Sequence, residues 1–340
     1  MAAKPVYLLY LASWRNNVPD LVLVSEVTHG YKDPLGSRWL GRYGIISSSK
    51  TEESRRLFSK NVKAVIDVTG IDGIDLDWEY PGGNGENYKE PGTANADKVW
   101  EIDAYPKLVA ELRAALGPDK TLCAALPCVP RDTMAFDSVE QLARVVPHMD
   151  FFNLMTYDLL NRRDTMTGHH AGVEGSLAAV DRYLGNGMPA EKAVLGFAFF
   201  LKWFRTLPLK SHAGPIDDPV GLATIQMEDQ ATGADLGGTG AVLWSDGPEL
   251  SVAASFNRAV AGGSYDERHG GHYYLDYGED LFWTWEIPEA IKKKYRATVG
   301  ERGLRGAFAW DLGGDSKDWR HLKALNRAIK GEALAEQKDS

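Results

Sequence analysis

The chain has 340 residues, 44% of them hydrophobic and 10% aromatic, with a formal net charge of −9. That balance is enough for a sizeable core, and it argues against a nucleic-acid or anionic-membrane partner, each of which wants a basic face. No apolar run is long enough to span a bilayer, and no segment is polar enough to read as disordered.

In chain order, VYLLYLA (6–12) reads as a first buried strand. The same stretch makes a poor signal peptide, and no Asn-x-Ser/Thr sequon occurs, so a cytoplasmic location is expected, with secretion the alternative. A doubtful strand follows near 21–28. Residues 29–50 hold four Gly, a Pro and no period-two run, and read as irregular.

From Gly73 onward, apolar runs alternate with amphipathic stretches. GIDLDW (73–78) precedes a helical pattern over 101–116, TLCAAL (121–126) one over 138–146, and DFFNLMTYD (150–158) one over 176–184. AVLGFAFF (193–200) starts another run, and GLRGAFAWDL (303–312) precedes a helical pattern over 319–329. Strand and helix alternating at this spacing indicate a parallel sheet with crossover helices. A closed (β/α)8 TIM-type barrel is the expected architecture, with a doubly wound open sheet as the alternative. No glycine-rich phosphate loop follows the first strand, so no nucleotide site is expected. The whole chain, 1–340, reads as one such domain. Residues 203–284, rich in Gly, Tyr and Trp, break the rhythm and read as a small insertion module beside the barrel mouth. Cys123 and Cys128 lie along one strand and its loop, too far apart to bridge, and are expected as buried thiols.

The chemistry centres on Asp72-Gly73-Ile74-Asp75-Leu76-Asp77-Trp78-Glu79-Tyr80-Pro81-Gly82-Gly83. Side chains alternate on a strand, so Ile74, Leu76 and Trp78 face one way and Asp75, Asp77 and Glu79 the other, with successive acids roughly 6.8 Å apart. If the apolar face meets the helices, the acids point into the barrel, where three carboxyls must share protons or find donors. Glu79 sits at the carboxyl end, where barrel enzymes keep their sites. Two other readings are an edge strand with a solvated acidic face, and an Asp-x-Asp site for Mg²⁺ or Mn²⁺. Against a metal, the acids run along one strand rather than around a point, so no metal and no cofactor is expected.

This segment resembles the DxxDxDxE signature of glycoside hydrolase family 18, the chitinases and their relatives. LMTYD (154–158) resembles the family's M-x-Y-D, and GAFAWDLGGD (306–315) its final strand. NLMTYDLLNRRDTMTGHH is closest to fungal members, and the insertion falls where many members carry an α+β module. The resemblance covers residues 50–330 well and 5–28 loosely. It implies a TIM barrel that hydrolyses chitin or N-acetylglucosamine oligosaccharides, by the route in which the substrate's own 2-acetamido oxygen attacks the anomeric carbon. It further implies Glu79 as general acid and base, and Asp77 as the partner of the acetamido N–H. Asp75 is implied to share a proton with Asp77, and Tyr157 to donate to the acetamido oxygen. Asp158, Trp310, Met155 and Tyr80 are implied to bind sugar, with Trp310 stacking beneath it, while Asp72 is structural.

The first third departs from the pattern. Only 71 residues precede Asp72, and the family's S-x-G-G is absent. Strands two and three of the barrel are therefore expected to be missing or altered, leaving six or seven barrel strands. That departure sustains a second reading, a catalytically silent chitin-oligosaccharide binder, although such binders usually lose the glutamate that Glu79 supplies. Three further expectations concern the flanks. His169–His170 are read as a polar surface pair, and Trp283 and Trp285 as one face of a strand. Of Arg162 and Arg163, one is expected to reach substrate and the other to be solvated.

Overall fold

The computed structural model describes residues 6–9, 49–85, 88–90, 94–211 and 216–331. The expected alterations of barrel strands two and three, over 10–48, lie outside the described residues.

Six strands form one all-parallel sheet: β1 (Val6–Leu9), β2 (Gly73–Leu76), β3 (Thr121–Pro127), β4 (Phe151–Met155), β5 (Ala193–Ala198) and β11 (Gly306–Trp310), in the order β1-β11-β5-β4-β3-β2. This is the parallel sheet of a (β/α) barrel, open among the described residues between β1 and β2. The register brings the carboxyl ends together. Asp75 pairs with Cys123, Pro127 with Met155, Leu154 with Leu195, and Trp310 with Ala198. Among the described residues β2 pairs only with β3, at one end of the strand order.

Helices cover the outer face. α1 (Glu52–Thr69) begins at Thr51, whose hydroxyl accepts from Ser54 N while Ser54 Oγ accepts from Thr51 N, and it stops at Gly70, whose positive φ of 71° closes the last turn. Phe58, Val62 and Ile66, spaced by four, form its buried stripe. That stripe joins Leu108, Leu112 and Leu116 of α2 (Val99–Leu116) in the main core. The apolar side of β2 packs into this layer: Leu76 and Trp78 are buried, Ile74 packs against them, and the Trp78 ring meets Tyr105 edge-on at 5.8 Å. The crossovers then run through α3 (Val139–Ala143), α4 (Val173–Gly185) and α6 (Pro288–Tyr295), and α7 (Arg320–Lys330) follows β11. α3 is shorter than the apolar pattern suggested, giving way to a 3-10 turn at Val146–His148 with Pro147 in it.

The apolar run 193–200 breaks at Phe199. β5 stays in the parallel sheet, whereas β6 (Phe200–Arg205) enters a second, antiparallel sheet with β7 (Thr239–Leu243), β8 (Ser264–Asp266), β9 (Gly271–Asp276) and β10 (Leu281–Trp285), ordered β7-β6-β10-β9-β8. α5 (Ala253–Gly262) covers one face of it. Trp283 and Trp285 are buried there as one face of β10. Cys123 and Cys128 are free buried thiols. No helix among the described residues is long and apolar enough to cross a membrane.

Candidate active site

A cavity of about 580 Å³ opens at the carboxyl ends of the strands, between the parallel sheet and the second sheet. Asp77, Glu79 and Tyr80 reach it from the end of β2, Met155, Tyr157 and Asp158 from β4, and Trp310 from β11. These are seven of the eight side chains expected from sequence. The eighth, Asp75, sits one residue pair deeper, where Asn153 Nδ2 on β4, the next strand but one, donates to its Oδ1 at 3.1 Å. Asn153 is itself fully buried, so this amide is the fixed donor that lets the deepest carboxyl stay inside the sheet.

The acids perturb one another. Asp77 is open to water from the cavity, yet the concave wall around it withdraws most of its solvation. That loss, the charges of Glu79 and Asp75, and a side-chain hydrogen bond with Glu79 push its carboxyl up to about 8. The Asp77 carboxyl is thereby biased towards its protonated form. Tyr157 is buried against Phe200 and Phe308, both edge-on at 6.0 Å. Burial first, and then Asp77 and Glu79, raise its phenol well above its ordinary value, so it is a proton donor throughout the useful pH range. Tyr80 is raised likewise, by burial and then by Glu79. Asp158 adopts a positive φ of 52° and is anchored by Lys202 Nζ at 2.8 Å.

The loop after β2 is set by a contact the sequence did not announce. Gly82 N donates to Glu101 Oε2 at 3.0 Å, and Glu101 is buried on α2. A side chain at Gly82 would strike Ile102, and its φ of 91° also suits only glycine. Behind β4, the buried Lys294 of α6 donates to Thr156 O at 3.0 Å, fixing the backbone one residue before Tyr157, and lies 3.3 Å from the buried Glu286. Glu286 in turn accepts from Ala198 N at 2.7 Å.

Two expectations are corrected. His169 and His170 are not a surface pair: the second sheet covers their loop, leaving His170 fully buried against the Phe200 ring at 5.1 Å. His169 is held between Thr284 Oγ1 at 3.1 Å and Asp266 Oδ2 at 3.0 Å. Neither Arg162 nor Arg163 is free in solvent. Both line the cavity and converge on the buried Glu228, at 3.2 and 3.6 Å, because a turn of the second sheet's module folds over the barrel mouth. Sequence reasoning also missed Asp132 and Lys202 in the cavity wall. The rule that found Glu79 could have found Asp132, since it follows the carboxyl end of β3.

The family model for glycosyl hydrolases family 18 matches residues 36–315. Mouse chitotriosidase-1 is 30% identical over 282 residues, 77% of this chain and 53% of that protein. The chain spans about half the length, or less, of the first curated relatives it matches. Among solved structures, catalytic domain 2 of the Ostrinia furnacalis Group II chitinase superimposes with a TM-score of 0.65 at 21% identity, over 86% of this chain and 75% of that one. A Cycas revoluta chitinase in complex with (GlcNAc)3 superimposes with a TM-score of 0.61 at 22% identity, over 84% and 76%.

Proposed function

The chain belongs to glycosyl hydrolase family 18, and from that membership we propose that it hydrolyses β-1,4 bonds of chitin or N-acetylglucosamine oligosaccharides with retention, using the substrate's acetamido group as nucleophile. The observation that carries the reading is the convergence of Asp77 and Glu79, at the carboxyl end of β2, with Tyr157 and Trp310 on one cavity, the Asp77 carboxyl being raised by burial and by Glu79. The oligosaccharide seen in the Cycas revoluta protein supports the choice of ligand.

In this mechanism Glu79 gives its proton to the glycosidic oxygen as the C1–O bond breaks. The acetamido oxygen closes on C1 to form an oxazolinium ion. Asp77 accepts from the acetamido N–H, its carbonyl oxygen remaining an acceptor while its proton stays within reach of Glu79. Asp75 sits behind Asp77 as a second carboxyl, keeping that proton in the chain of acids. Tyr157 donates to the acetamido oxygen. Glu79, now ionised, takes a proton from the water that opens the ring. Trp310 stacks beneath the sugar, Asp158 supports a hydroxyl, and Met155 and Tyr80 complete the pocket. The whole chain acts as one catalytic domain, with the segment 203–284 as a module that walls its mouth.

The test is release of a chromophore from an N-acetylglucosamine oligomer by the purified chain. Turnover supports the reading. Binding without turnover points to the silent oligosaccharide binder instead.

A further inference from the structure

The loop after β3 carries a carboxyl that the reaction above does not use. Asp132, on the 3-10 turn Pro130–Asp132, is 5% exposed and lines the cavity that holds Glu79. Among the described residues its Oδ1 has no hydrogen-bond partner. The nearest cation among them, Arg163 Nη1, stands off at 3.7 Å, beyond hydrogen-bond range. Arg163 is committed elsewhere: Nη2 donates to Gly85 O at 3.3 Å, Nε faces Glu228 at 3.6 Å, and the guanidinium covers the Tyr88 ring at 3.9 Å. Arg131, the sequence neighbour, turns away and closes on Asp164 through two bonds of 2.8 and 3.1 Å.

A buried acceptor facing a cavity without a donor is an exception that needs a reason, and a ligand that brings the donor is one. Loss of solvation raises this carboxyl to about 6, a cost that the two arginines reduce without cancelling. The group is thus still largely ionised at neutral pH and suited to a strong donor. The other cavity acids have partners already: Asp77 bonds with Glu79, Asp158 with Lys202, and Asp235 accepts from Gly237 N at 2.8 Å.

We propose that Asp132 is the specificity-determining acceptor of a sugar subsite adjoining the one at Glu79. Its Oδ1 receives a hydrogen bond from a hydroxyl, or from the free amine of a deacetylated unit. The inference rests on the oligosaccharide reading above. It goes further in placing a charge-bearing contact for the neighbouring unit on the loop after β3. A purely structural part for Asp132 needs only its backbone, whose N–H donates to Val129 O at 2.9 Å.

The experiment uses the full chain carrying Glu79→Gln, so that ligand survives. Calorimetric titrations compare the fully acetylated hexamer with a partially deacetylated hexamer of the same length. Asp132→Leu and Asp132→Ala remove the acceptor, whereas Asp132→Asn keeps an oxygen and removes the charge. Both removals are expected to weaken the deacetylated hexamer about tenfold or more, at unchanged melting temperature in at least one of them. If the acetylated hexamer weakens with it and Asp132→Asn restores both, the donor is a hydroxyl. If the acetylated hexamer is unaffected and Asp132→Asn leaves the deacetylated one weak, the donor is the amine. A folded Leu or Ala variant that binds both hexamers as tightly as its parent overturns the proposal. Failure of the Glu79→Gln parent to bind either hexamer overturns the oligosaccharide reading, and this inference with it.

Discussion

Asp77 and Glu79, two residues apart just beyond the carboxyl end of β2, are coupled through a side-chain hydrogen bond, and burial with the charges of Glu79 and Asp75 raises the Asp77 carboxyl to about 8. Replacing Glu79 by Gln keeps the shape and a hydrogen-bonding head but leaves nothing to protonate the leaving oxygen. Hydrolysis should fall by at least the ~10²–10⁴-fold that general acid catalysis supplies, while oligosaccharide affinity is retained. Steady-state rates beside a binding isotherm check both halves. Full residual turnover in Glu79→Gln contradicts the assigned role.

The proton on Asp77 also sets a pH dependence of stability. Its carboxyl rises from an ordinary 3.8 to about 8 on folding. Between these values the folded chain holds a proton that the unfolded chain releases, so this contribution to stability is complete below about 4 and is lost as pH rises towards 8. Asp77→Asn removes the titration. Its melting temperature should gain on the parent's as pH climbs from 4 to 8, with turnover cut strongly at the same time. Melting curves that stay parallel across that window argue against a shared proton.

Behind the site, Lys294 and Glu286 are both buried and 3.3 Å apart. Burial lowers the basicity of the ammonium and raises that of the carboxylate, so each needs the other. Lys294→Met strands Glu286 and should cost about 3–5 kcal/mol. It also frees the carbonyl of Thr156 beside Tyr157. Adding Glu286→Gln should return part of the stability. Denaturant melts of the two variants give the comparison, and a Lys294→Met chain as stable as the parent would show that the pair is not holding this end of β4.

Cys123 and Cys128 are buried, and burial raises both thiols above their ordinary value. Neither should react with a thiol reagent in the native chain, and both should react in denaturant. Reducing agent should leave the melting temperature unchanged.

How much of this could be read in advance depends on the range of the interaction. The alternation of Asp75, Asp77 and Glu79 against Ile74, Leu76 and Trp78 is local. The structure places the second set in the helix layer and brings Asp77 and Glu79 to the cavity. The strand–helix rhythm likewise located β2 through β5 and β11 to within a few residues. What failed was whatever a distant segment decides. The apolar run 193–200 carries no mark of the switch between sheets at Phe199. The burial of His169 and His170 depends on Thr284 and Phe200, and the pairing of Arg162 and Arg163 on Glu228. The place of Asp132 after β3 is local, but the engagement of its two neighbouring arginines depends on Asp164 and on Gly85.

The most direct test of the central claim is the anomeric configuration of the first product, followed by proton NMR as an N-acetylglucosamine oligomer is cleaved. Attack by the acetamido oxygen and then by water inverts the centre twice, so the β-anomer should appear first and relax slowly to the equilibrium mixture. An α-anomer appearing first would mean a single inversion by water and would contradict the account.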